Sequence, residues 1–135
     1  MNKLIGALAF AALVAATPAV AHQGMHMGAK AASASKPATI RGEIVDTGCY
    51  VAEGMRGAKN KECTAKCVNT GMPMALLTAD NHLYLLTPNH DNADPYEKCK
   101  GFAAEMVAVT GTVSERNGMR IIDVSDVKPV ETAAK

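Results

Sequence analysis

MVAVTGTVSERNGMRIIDVSDV, residues 106 to 127, consists of two runs of period-two character on either side of Asn117-Gly118. Asn-Gly supplies the positive-φ positions that a two-residue hairpin turn requires, so this stretch predicts two long antiparallel strands. Upstream, PMALLTA (73–79) and HLYLLT (82–87) flank Asp80-Asn81, a second two-residue link of hairpin type. TIRGEIVD (39–46) adds a fifth strand, with Ile40, Gly42 and Ile44 on one face. Two helices fit between these runs. The first covers 61–69, with Asn60 as N-cap and Gly71 and Pro73 ending it. In the second, Asp94 caps, Pro95 takes the first helical position and Glu97 completes a capping-box-like pattern. Tyr96, Cys99, Ala103 and Met106 follow at helical spacing. The order strand, helix, hairpin, helix, hairpin predicts a mainly β fold: a small five-stranded OB-like Greek-key barrel with two short helices. Gly42 and Gly111 stand in matching contexts, RGEIV and TGTVS, where strands of a small barrel must bend to close.

Outside the barrel, the N-terminus MNKLIGALAFAALVAATPAVA has one early positive charge (Lys3), an apolar run and Ala19-Val20-Ala21 before His22. This is the pattern of a signal peptide over 1–21. The apolar run is about 14 residues, short of the roughly 20 that span a bilayer, so no stable membrane anchor is expected. The signal has a bacterial look, which predicts export to the periplasm. Residues 22–38, HQGMHMGAKAASASKPA, have no apolar period and are expected to be a flexible tail. One barrel domain then covers 39–130, with 131–135 frayed.

Without Lys3 the basic and acidic residues balance at 13 each. Nucleic-acid binding needs a basic surface and is not expected. The chain has no HExxH, GxSxG, phosphate-binding glycine loop or paired-carboxylate motif, and no spacing sets His82 or His90 beside a cysteine. It does not read as an enzyme.

The chemistry lies in four cysteines. ECTAKC (62–67) sets Cys63 and Cys67 at i and i+4, on one helix face with Cβ atoms about 6 Å apart. This is neither the CxxCH of c-type haem nor the CxxC of a thioredoxin-like site. Cys49 follows the first strand in TGCYV, and a loop over 50–62 can bring it to that face. Two readings compete. In one, Cys49, Cys63, Cys67 and Cys99 form two disulfides that staple a small exported domain, the bridge from Cys49 to Cys63 or Cys67 contributing about 3 kcal/mol. In the other, Cys49, Cys63 and Cys67 bind a soft metal, copper first and zinc second, with Met72 of GMPM adding a thioether. Met74, at a strand start, is better read as core filler. The tail offers a secondary set: the free amine and imidazole of His22 with Met25, His26 and Met27.

The stretch GEIVDTGCYVAEGMRGAKNKECTAKCVNTGMPMALLTADNHLYLLTP resembles a group of small exported bacterial β-barrel proteins of unassigned function. The shared elements are a strand ending in Cys49-Tyr50, the loop Gly54 to Gly57, Cys63/Cys67 and the turn Gly71 to Pro73. The likeness covers most of 40–127. It implies that Cys49, Cys63 and Cys67 belong together and that Cys99 is extra, and it brings no activity. A CxxxC pair also resembles the copper site of Sco-type assembly proteins, but the fold signals here are not thioredoxin-like and no residue is carried over. The expectation is an exported soft-metal protein for storage, delivery or sensing, set against a metal-free, disulfide-stapled module that holds a peptide, glycan or periplasmic protein partner.

Overall fold

The computed structural model describes residues 37–130. The expected leader, the tail ligands His22, Met25, His26 and Met27, and the expected frayed end at 131–135 lie outside the described residues. Within them, five strands close into a barrel: β1 (Ala38–Asp46), β2 (Met74–Leu77), β3 (Leu83–Pro88), β4 (Met106–Arg116) and β5 (Met119–Pro129). Their order around the barrel is β1-β2-β3-β5-β4, with β4 returning to β1. All neighbours run antiparallel except β3 and β5.

The 106–127 stretch makes the expected hairpin. β4 and β5 pair from Val107↔Pro129 to Arg116↔Met119, and Asn117 and Gly118 have φ of 51° and 81°. The other hairpin differs. β2 stops at Leu77 and β3 starts at Leu83, because Thr78 closes a wider turn: its N–H donates to the His82 carbonyl (2.9 Å) and its hydroxyl accepts from the His82 N–H (3.0 Å).

The two glycines of the pattern sit where the barrel bends. β1 pairs with β4 up to Glu43 and with β2 from Glu43 onward, so the strand changes partner beside Gly42. A Cβ at Gly42 would stand 2.6 Å from the Leu77 carbonyl oxygen, and one at Gly111 would stand 2.2 Å from that of Asp123. The β4–β5 register shifts between Thr110 and Gly111, a bulge that sharpens the bend.

Alternation along β1 and β2 sorts residues into two clusters. Ile44, Met74 and Leu76 enter the barrel interior with Val107, Val109, Ile122 and Val124. Val45, Ala75 and Leu77 point outward, under Tyr50 and Leu83. Met74 is fully buried, as expected of core filler.

Among the described residues three α-helices accompany the barrel, not two. α1 (Thr47–Glu53) takes in the first four residues of the expected 50–62 loop, α2 is Lys61–Asn69 as expected, and α3 is Asp94–Cys99. α1 escapes pattern analysis because it buries no residue fully, so it shows no apolar period. Its ends are nonetheless well made. Asp46 caps it, accepting from the Gly48 N–H at 2.7 Å, and Gly54 (φ 70°) closes it with its N–H on the Tyr50 carbonyl. The helix at 94 is shorter than expected. Ala93, not Asp94, is its N-cap; it passes into a 3-10 turn over Lys100–Phe102, and Met106 begins β4.

Candidate metal centre

β1 delivers the chain directly into α1, which puts Cys49 in the helix's first turn, one turn beyond the barrel wall. α2 packs through Val68, which is fully buried in the barrel core, and through Ala65. Cys63 and Cys67 share a neighbouring face of that helix, Cys67 half-buried and Cys63 exposed.

Hydrogen bonds lock these pieces together. The N–H and hydroxyl of Thr47, at the start of α1, both donate to the Pro73 carbonyl (2.9 and 2.8 Å) just beyond α2. At the other end of the loop the Glu43 carboxylate accepts from the Gly57 N–H. Thr70 ends α2 with its hydroxyl donating to the carbonyls of Lys66 and Cys67 (3.1 and 2.9 Å). The Met72 N–H also donates to the Cys67 carbonyl, at 3.0 Å.

As a result, the sulfurs of Cys49, Cys63 and Cys67 all lie within 4.8 Å of one another. Thiolates on one tetrahedral ion with metal–sulfur bonds of about 2.3 Å stand about 3.8 Å apart, so a small contraction suffices for all three to reach a common ion. The three thiols can hold a metal.

No two of the four cysteines are at disulfide-bonding distance. Cys99 stands outside the trio. It is fully buried in the barrel core, and its thiol donates to the Pro95 carbonyl at 3.3 Å. The two-disulfide pairing weighed from the sequence is therefore not formed, and Cys99 serves as packing. Met72 is 41% exposed, but its terminal methyl reaches the neighbourhood of Cys49: a Cβ on Gly48 would meet it at 2.8 Å. His82 is exposed and bonded through Nδ1 to Asp80 (2.9 Å), and neither it nor His90 joins the cysteines.

One residue of the site went unnoticed in the sequence. Asp46 is 1% exposed, its Oδ1 serves as the α1 cap, and its Oδ2 meets no hydrogen-bond partner of ordinary geometry. The thiols of Cys49 and Cys67 stand beside this carboxylate as weak S–H donors. Burial pushes the Asp46 acid up, but those two thiols and the Gly48 N–H more than offset it, leaving the group below its ordinary value and ionised. In return, the Asp46 contact, helped by burial, pushes the Cys49 thiol up to about 12. Cys67 is raised by the same contact. Without metal, then, these two cysteines are thiols around a buried anion, and poor nucleophiles. The signal was present in the strand pattern: the face carrying Ile40, Gly42 and Ile44 continues, two residues on, to Asp46. A carboxylate on a core face requires a partner.

No family model, no curated protein and no solved structure matches this chain.

Proposed function

We propose that this is an exported metal-binding protein that holds one thiophilic ion, Cu(I) or Zn(II), on Cys49, Cys63 and Cys67. The observation that supports this most strongly is the approach of three sulfurs, from two helices, to within 4.8 Å of one another. Three cysteines serving only as core filler would be buried among apolar side chains, as Cys99 is. Here one is exposed and two are half-buried beside a carboxylate. Met72 flanks the site as an adaptable thioether.

The barrel is a frame for the two helices, and we take it to be of the OB-like Greek-key type. The strand order β1-β2-β3-β5-β4, with β3 and β5 parallel, supports that reading. The role is storage, delivery or sensing of the ion in the periplasm, after removal of residues 1–21. Mass spectrometry of the exported protein should find His22 first. Purified anaerobically, the protein should carry free thiols and bind one equivalent of Cu(I) or Zn(II) against a chromogenic chelator. Four oxidised cysteines and no metal uptake after reduction would reject the proposal.

A further inference from the structure

Among the described residues, Asp46 Oδ2 is the one buried side-chain oxygen or nitrogen that lacks a hydrogen-bond partner. An ionised oxygen withdrawn from water, with only weak thiol donors beside it and none in hydrogen-bond geometry, carries a large desolvation penalty, and such groups persist where something completes them. The cap on α1 does not account for it, because capping uses Oδ1 alone. The nearest chemistry is the thiol pair of Cys49 and Cys67, which belong to the metal trio; no Asp46 oxygen lies within 4.8 Å of all three sulfurs, so coordination must draw the carboxylate and the sulfurs together.

We propose that Asp46 Oδ2 is the fourth donor of this centre, making a tetrahedral site of three thiolates and one carboxylate for a divalent ion of the Zn(II) class in preference to Cu(I). The inference rests on the metal-binding reading above and reverses the order, copper before zinc, that the sequence suggested.

Two considerations favour the divalent ion. The first is coordination: Zn(II) takes four ligands and accepts sulfur and carboxylate oxygen together, whereas Cu(I) selects sulfur and gains little from a carboxylate. The second is charge. Three thiolates and one carboxylate around Zn(II) leave two net negative charges, as in an ordinary four-cysteine zinc site. Around Cu(I) they leave three, with the carboxylate still uncoordinated in a buried position. Met72 could supply Cu(I) with a thioether in place of the carboxylate, but it is 41% exposed and its removal from the metal leaves nothing unsatisfied. Asp46 has no such freedom.

The test uses the reduced full-length mature protein with Zn(II), Co(II) and Cu(I) as probes, comparing the wild type with Asp46→Asn and Asp46→Ser. Asn and Ser both keep an N-capping oxygen, so α1 retains its start. Removing a group that only hydrogen-bonds a metal ligand typically costs 10–100-fold in metal affinity. Loss of a direct donor should cost at least about 100-fold for Zn(II) and Co(II), with Cu(I) affinity changed by less than about threefold. The visible Co(II) spectrum of the wild type should have the intensity of a four-coordinate site and should change in both variants. If Zn(II) affinity survives in both variants within about threefold, Asp46 is not a ligand, while the three-thiolate site stands. If Zn(II) and Cu(I) affinities fall together, Asp46 acts by positioning α1 and the proposal is wrong. If the wild type binds none of the three ions, the metal-binding reading itself fails. Should Asp46→Asn fold poorly by circular dichroism, Asp46→Ser and the wild-type Co(II) spectrum decide the question.

Discussion

Cys99 and the Cys49–Cys63–Cys67 trio place the same chemical group in two environments. At α3 the thiol is enclosed by the barrel core, donates to a carbonyl of its own helix, and burial alone pushes it up to about 12. At the junction of α1 and α2, Cys49 reaches a similar value chiefly through the Asp46 carboxylate, while Cys63 is open to solvent. An elevated thiol pKa thus has two origins. One marks a residue that fills space; the other marks a group held in reserve beside a buried anion that a cation can satisfy.

Metal affinity should separate the two regions most widely. Cys63→Ser and Cys67→Ser should each weaken Zn(II) or Cu(I) binding by at least about 100-fold in chelator competition, because a hydroxyl is a poor substitute for thiolate. Cys99→Ser should leave affinity within about threefold and instead lower stability by about 1–3 kcal/mol in urea unfolding, since it buries a hydroxyl in an apolar core. Loss of metal binding on changing Cys99 would erase the distinction.

Thiol alkylation gives a second contrast. In the metal-free protein Cys63 should react within minutes and Cys99 only through unfolding, as peptide mass mapping can show. Bound metal should protect the trio and leave Cys99 unchanged.

Changes in pH sharpen the comparison from another side. A thiol whose folded pKa is raised above its unfolded value of 9.0 contributes stability that is complete below about pH 9 and lost as pH climbs toward 12. The metal-free protein should therefore lose stability over that window, and Cys99→Ala should make the decline shallower. Metal uptake near neutral pH must strip protons from Cys49 and Cys67, so calorimetry in buffers of differing ionisation enthalpy should report about two or more protons released per ion. Affinity should rise with pH accordingly.

The smallest effect belongs to the cap on α2. Thr70→Val removes a hydroxyl that donates to the Lys66 and Cys67 carbonyls, and should cost about 0.5–1 kcal/mol of stability with only a slight change in affinity.

Much of the barrel was legible because its signals are local. Asn117-Gly118 can only turn, and Gly42 and Gly111 leave no room for a side chain against the facing carbonyls. The 61–69 helix announced itself through its breakers, Gly71 and Pro73. α1 did not, because a seven-residue helix lying on the outside of the barrel buries Cys49 and Tyr50 only partly, no residue fully, and carries no periodic stripe. Taking that segment as loop still left Cys49 able to reach the pair, so the trio was found with the wrong connection. Asp46 was missed for a different reason. It is the last residue of the first strand, as expected, but its parity with Ile40, Gly42 and Ile44 also buries it.

X-ray absorption at the zinc edge of the reduced full-length protein, loaded with one equivalent of Zn(II), tests the centre most directly. The predicted shell is three sulfurs at about 2.3 Å and one oxygen at about 2.0–2.2 Å, reduced to two sulfurs in Cys67→Ser. A shell made only of nitrogen and oxygen, or one unchanged by Cys67→Ser, would mean that these three sulfurs meet for reasons other than a metal.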